Sequence, residues 1–159
     1  MTSVRIGEPV EGFELPATGG ETLRLADFHG RNLVLYFYPK ASTPGCTKEG
    51  LAFTEHYPAF QALATDIVGV SRDGIKAQET FAANQGFAFP LLSDKDESLC
   101  QQFGVIKEKT MYGRKSLGIE RSTFLIDRHG VLREEWRGVK VPGHAEEVLA
   151  AVQSLETGN

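Results

Sequence analysis

The sequence predicts an α/β domain with a central mixed β-sheet flanked by helices, and two observations carry that prediction. Short apolar runs at 32–38, 66–71 and 90–93 alternate with helical segments, as βαβ units do. Two further runs, at 122–127 and 131–137, flank Arg128-His-Gly130, a hairpin signal, and a last helical stretch follows them.

In order along the chain, 22–25 reads as a short edge strand. Residues 32–38, Asn-Leu-Val-Leu-Tyr-Phe-Tyr, form the near-continuous apolar and aromatic run of a buried central strand, which Pro39 ends. After a loop over 40–45, Cys46 opens a helical segment with Leu51 and Phe53, and Pro58 marks a break before Phe60 and Leu63. A strand at 66–71, a helix at 75–84, a short strand around 90–93 and a short helix at 97–103 continue the alternation. The hairpin comes next, and a helix over 144–155 closes the chain. Glycines and prolines fall singly between these segments and no repeat or linker divides them, so 1–159 reads as a single domain. A parallel βαβ half joined to a ββα half, with a cysteine where the first central strand meets its helix, is the arrangement of a thioredoxin-like fold.

The 159 residues are 41% hydrophobic, enough for a core without metal or disulfide staples. With 17 Lys plus Arg against 21 Asp plus Glu, the net charge of -4 gives no reason to expect nucleic acid or an anionic membrane as partner. No apolar run approaches the roughly 18 residues of a spanning helix. The expected location is a reducing cytoplasm. Cys46 and Cys100 are too few for a disulfide scaffold, and the four histidines show no zinc-ligand spacing, so no metal is expected. Lys107, Lys109, Arg114 and Lys115, interrupted by Glu108, read as a solvated loop.

The chemistry centres on Cys46. A thiolate is the nucleophilic form of cysteine, and the first turn of a helix offers unpaired N–H groups and the positive end of the helix dipole to favour it. Pro44-Gly45 lets the backbone approach closely, so position alone predicts an activated Cys46. Ionisation alone yields only a modest rate gain, and a fast enzyme needs transition-state stabilisation as well.

Pro39-Lys-Ala-Ser-Thr-Pro-Gly-Cys46 resembles the peroxiredoxin active-site pattern, and Tyr36-Phe-Tyr-Pro-Lys40 resembles its PrxQ (bacterioferritin comigratory protein) branch. The resemblance continues through Val70-Ser-Arg-Asp73, Phe89-Pro-Leu-Leu-Ser-Asp94 and Glu120-Arg-Ser-Thr-Phe-Leu-Ile-Asp127 to Val141-Pro-Gly-His144, nearly the whole chain. It implies a peroxidase, acting on hydrogen peroxide and organic hydroperoxides, in which Cys46 attacks a peroxide oxygen and becomes a sulfenic acid. No metal, haem or other cofactor is implied. Carried over by position, the Thr43 hydroxyl and the Cys46 N–H would hold the peroxide, Arg121 would favour the thiolate and stabilise charge on the breaking O–O bond, and Pro39 would shield the pocket. Glu49, one turn after Cys46, would orient Arg121 by a charge-assisted hydrogen bond. The resemblance also leans towards a monomer or weak dimer.

The sequence departs from the family it resembles in the second thiol, with which a sulfenic acid condenses before the next turnover. The two positions at which the family places a resolving cysteine hold Leu51 and Ala82. Cys100, between Leu99 and Phe103, reads first as a small buried hydrophobe and second as an unconventional resolving residue. The first reading makes Cys46 a one-cysteine peroxidase whose sulfenic acid is reduced by an external thiol, thioredoxin or glutaredoxin with glutathione. A thiol-disulfide oxidoreductase is disfavoured because Glu49 stands where Cys-x-x-Cys needs its second cysteine. A thiol redox sensor or holdase is a further alternative, and a cysteine hydrolase using His56 or His144 as base lacks any orienting motif.

Overall fold

In a computed structural model, which describes residues 4–157, nine strands and four α-helices follow one another. β1 (Glu14–Ala17) and β2 (Glu21–Arg24) form an antiparallel pair, and a 3-10 turn over Leu25–Phe28 leads on to β3 (Asn32–Phe37). Then come α1 (Pro44–Ala62), β4 (Thr65–Ser71), α2 (Ile75–Gln85), β5 (Leu91–Ser93) and α3 (Ser98–Gln102). The chain ends with β6 (Ile106–Met111), β7 (Arg114–Ile119), β8 (Ser122–Ile126), β9 (Leu132–Arg137) and α4 (His144–Glu156). Seven strands make one mixed sheet in the order β2-β1-β5-β4-β3-β8-β9, with β3, β4 and β5 parallel and β8 antiparallel to β3. This is the expected thioredoxin-like arrangement, with β3 in the interior as its fully buried run requires.

Successive side chains of β3 point to opposite faces, and each face has its own core. Leu33, Leu35 and Phe37 pack with Leu99, Cys100, Phe103 and Phe124 on one side. Val34, Tyr36 and Tyr38 pack with Cys46, Phe53, Phe60, Phe81 and Val148 on the other, under α1, α2 and α4.

Three sequence expectations need correction. The helix that Cys46 was expected to open begins two residues earlier, with Pro44 in its first turn, where the missing proline N–H costs nothing. It also runs unbroken through Pro58, because that residue lies on the exposed face, where the Thr54 carbonyl it leaves unpaired can meet water. The basic stretch is a two-stranded hairpin, β6–β7, rather than a loop. Its two-residue turn, Tyr112-Gly113, has φ of 53° and 76°, the positive values that twist-matched hairpin turns require. Tyr112 is 97% exposed, and Lys107, Lys109, Arg114 and Lys115 are on the surface.

Candidate active site

Cys46 sits in the first turn of α1, after the loop that follows the buried end of β3, and is only 2% exposed. The first backbone pair of this helix is Thr47 N–H to the Thr43 carbonyl at 2.9 Å, so the Gly45 and Cys46 N–H groups precede the ladder and point out of the helix end. Thr43 occupies the N-cap, yet its hydroxyl does not cap the helix. It donates to the Lys40 carbonyl at 2.7 Å instead, which leaves the oxygen lone pairs available as acceptors.

The loop between Pro39 and Thr43 is held from outside. Ser42 adopts φ of 64°, a left-handed conformation that a non-glycine residue takes only when its surroundings fix it. The Ala41 N–H on one side donates to Asp73 Oδ2 at 2.8 Å, and the Thr43 hydroxyl bond secures the other. Asp73 in turn accepts from the Ser71 hydroxyl at 2.5 Å, and its carbonyl accepts from the Ser93 hydroxyl at 2.7 Å. The Val70-Ser-Arg-Asp73 motif thus buttresses the loop that presents Cys46. The sequence alone does not reveal this role, although an Asp just past the end of a buried strand is a usable signal.

Arg121 reaches the sulfur from the segment between β7 and β8. Its Nη2 donates to Cys46 Sγ at 3.4 Å and its Nη1 to Glu49 Oε1 at 2.6 Å. The Val139 N–H fixes the Arg121 carbonyl at 2.9 Å. Burial disfavours the guanidinium cation, but Glu49 and Cys46 outweigh it and push its pKa up, so Arg121 is a permanent cation here. Gly45 makes the approach possible, since a Cβ at this position would lie 3.1 Å from Arg121 Nη2. Glu49, 1% exposed, is pushed up to about 7 by desolvation despite the opposing pull of Arg121. The structure therefore brings Cys46, Glu49 and Arg121 into direct contact, with Thr43 at the head of the same helix turn and Pro39, partly buried, at the start of the loop.

Cys100 is elsewhere. It is fully buried in the core on the opposite face of the sheet, its N–H bound to Asp94 Oδ2 at 2.7 Å. Desolvation and the neighbouring Asp94 carboxylate push its thiol far above the ordinary range. Ala82 is on α2 and packs at the edge of the Cys46-side core, while Leu51 is 42% exposed on α1. His56 pairs with Glu146 at 2.8 Å, and His144 bonds Thr123 Oγ1 at 2.8 Å and Glu147 at 3.4 Å, so neither is disposed as a base for Cys46. Among the described residues no group of three or more His, Cys, Asp or Glu side chains could hold a metal ion, and no helix is long and apolar enough to cross a membrane.

The family model described as AhpC/TSA family matches residues 6–135. Peroxiredoxin Bcp of Xanthomonas campestris is 53% identical over 156 residues, 97% of this chain and 98% of that protein. Peroxiredoxin Bcp of Bacillus subtilis is 41% identical over 153 residues, 96% and 98% of the two chains. Among solved structures, a cysteine-to-serine mutant of Xylella fastidiosa PrxQ superposes with a TM-score of 0.92 at 47% identity, covering 97% of this chain and 98% of that one. A structure of the Xanthomonas campestris bacterioferritin comigratory protein, described for its alkyl peroxide reduction activity, gives 0.89 at 48% identity over 98% and 99% of the chains.

Proposed function

The chain belongs to the AhpC/TSA family as a peroxiredoxin of the Bcp/PrxQ type, and from that premise we propose that Cys46 is its peroxide-reacting residue, regenerated by an external thiol. The observation that carries this reading is the contact of Arg121 Nη2 with Cys46 Sγ in the first turn of α1. A buried sulfur beside a fixed cation and two backbone donors is a site where developing negative charge meets groups already in place.

The Cys46 thiolate attacks one oxygen of RO–OH. A sulfur–oxygen bond forms as the O–O bond breaks, Cys46 becomes a sulfenic acid, and the leaving RO⁻ takes a proton from solvent to depart as alcohol, or as water when the substrate is hydrogen peroxide. Both oxygens gain negative charge in the transition state, so the Cys46 N–H and Arg121 act more strongly there than on bound peroxide. The Thr43 hydroxyl, donating its hydrogen to the Lys40 carbonyl, accepts from the peroxide O–H, and Pro39 helps keep water from the pocket. An external thiol then attacks the sulfenic sulfur and releases water, and a second thiol breaks the mixed disulfide, returning Cys46 with one disulfide formed. Thioredoxin or glutaredoxin with glutathione fits that role. An internal route through Cys100 is opposed by the sheet that stands between the two sulfurs.

Intact mass after one equivalent of hydrogen peroxide, run with and without the Cys100→Ser substitution, tests this reading. The expected result is one added oxygen on Cys46 in both proteins. A loss of two hydrogens in the parent alone would establish a Cys46–Cys100 disulfide and overturn the external-thiol mechanism.

A further inference from the structure

Two potential anions and one cation meet in the first turns of α1. Arg121 gives one N–H to Glu49 Oε1 and another to Cys46 Sγ, and Cys46 and Glu49, three residues apart on the helix, face the same side. The remaining carboxyl oxygen, Glu49 Oε2, is buried without a hydrogen-bond partner, and so is the hydroxyl of Tyr36 on β3. A carboxylate withdrawn from water needs donors on both oxygens, whereas the neutral acid is far less costly to bury. One guanidinium therefore faces a thiol and a carboxyl that repel each other when both are ionised.

We infer that Glu49 is a positioning residue that carries a proton whenever Cys46 is ionised, so that the pair presents one negative charge to Arg121. The step is a proton exchange: Cys46 thiol and Glu49 carboxylate become Cys46 thiolate and Glu49 carboxylic acid, with no change in net charge or redox state. The neutral acid still accepts from Arg121 through its carbonyl oxygen, so the guanidinium keeps its aim. The upward push on the Glu49 carboxyl by burial acts in the same sense. The groups facing Glu49 are Cys46 on its own helix, Arg121 from the segment before β8 and Tyr36 from β3, while His144 on α4 lies within reach of the Arg121 charge. Tyr36 is raised well above its ordinary value by burial and stays neutral. His144 is lowered by burial, so it adds no second cation near neutrality.

The inference rests on Cys46 being the reacting thiol, but its test uses no peroxide and can fail independently of that reading. The rate of Cys46 alkylation by iodoacetamide is followed against pH in the parent and in Glu49→Gln. The amide oxygen still accepts from Arg121 while the competing charge is gone. Because thiol and carboxyl share one negative charge in the parent, only part of it resides on Cys46, and the alkylation rate on the near-neutral plateau is expected to rise several-fold in Glu49→Gln. A residue that did no more than aim Arg121 would leave the plateau rate unchanged or lower it, and either result overturns the inference. Should the variant not fold, infrared difference spectra of the parent decide: a buried protonated-carboxyl band that disappears when Cys46 is capped by iodoacetamide supports the exchange, and no such band refutes it.

Discussion

Cys46 and Cys100 are the same residue type, at 2% and 0% exposure, yet they occupy opposite electrostatic environments. Cys46 stands at the open end of a 19-residue helix with a guanidinium at 3.4 Å. Cys100 lies across the sheet in an apolar core, beside the Asp94 carboxylate that repels its ionisation. Burial alone therefore does not separate the proposed reacting thiol from the other one; the sign of the neighbouring charge and the direction of the nearest N–H groups do.

The contrast can be broken most completely by removing the sulfur. Cys46→Ser should reduce peroxide consumption to background in a coupled thiol-peroxidase assay. Arg121→Met leaves the thiol and removes its cation, and the second-order rate constant with peroxide should fall by about 10²–10³-fold, the usual loss for one preorganised donor. Gly45→Ala is subtler: the new Cβ, 3.1 Å from Arg121 Nη2, displaces the guanidinium by a few tenths of an ångström, and stopped-flow oxidation should slow by roughly tenfold.

The pH dependence of stability sharpens the same picture. The folded Glu49 carboxyl, at about 7 against an ordinary 4.5, is raised, so the folded state binds more protons than the unfolded one between those values. Its contribution is present in full below the lower value and is lost as pH rises through the upper one, on the order of 3 kcal/mol in all. Asp127 and Glu156, whose carboxyls are lowered, act in the opposite sense and only at lower pH. Denaturant titrations across this window should show the decline in a Cys46→Ser background, where no thiolate offsets the Glu49 proton, and a flatter profile once Glu49→Gln is added. The smallest effect belongs to Cys100→Ala, which should cost about 1 kcal/mol of stability and leave the peroxide rate unchanged.

Much of this was legible in the sequence because it is local. The apolar run of β3, the Pro-Gly before Cys46 and the helix behind it are set by neighbouring residues, and the Arg128-His-Gly130 turn announced β8 and β9. The β6–β7 hairpin is not legible in the sequence because its strands are mostly polar and exposed, so they lack the period of a half-buried strand, and Tyr112-Gly113 is a weak turn signal. Pro58 misled because sequence does not say which helix face meets water. The contact between Arg121 and Cys46 spans 75 residues, and its dependence on Gly45 and on the Val139 N–H is tertiary. That Cys100 faces the other core depends on how α3 docks against the sheet, which no local pattern reports.

The uncapped start of α1 has a kinetic consequence. A peroxide is small enough to reach a sulfur that is 2% exposed, but a protein reductant must bring its own sulfur in line with it. On the proposed mechanism, each cycle that uses a protein reductant would include a fraying of the first helical turn. Because the Thr43 hydroxyl bonds Lys40 rather than the helix, that opening forgoes about 1 kcal/mol of resistance that a side-chain cap ordinarily supplies. Amide protons at 45–47 should exchange faster than those of the next turn, and on that mechanism their opening rate would set a ceiling on turnover with a protein reductant.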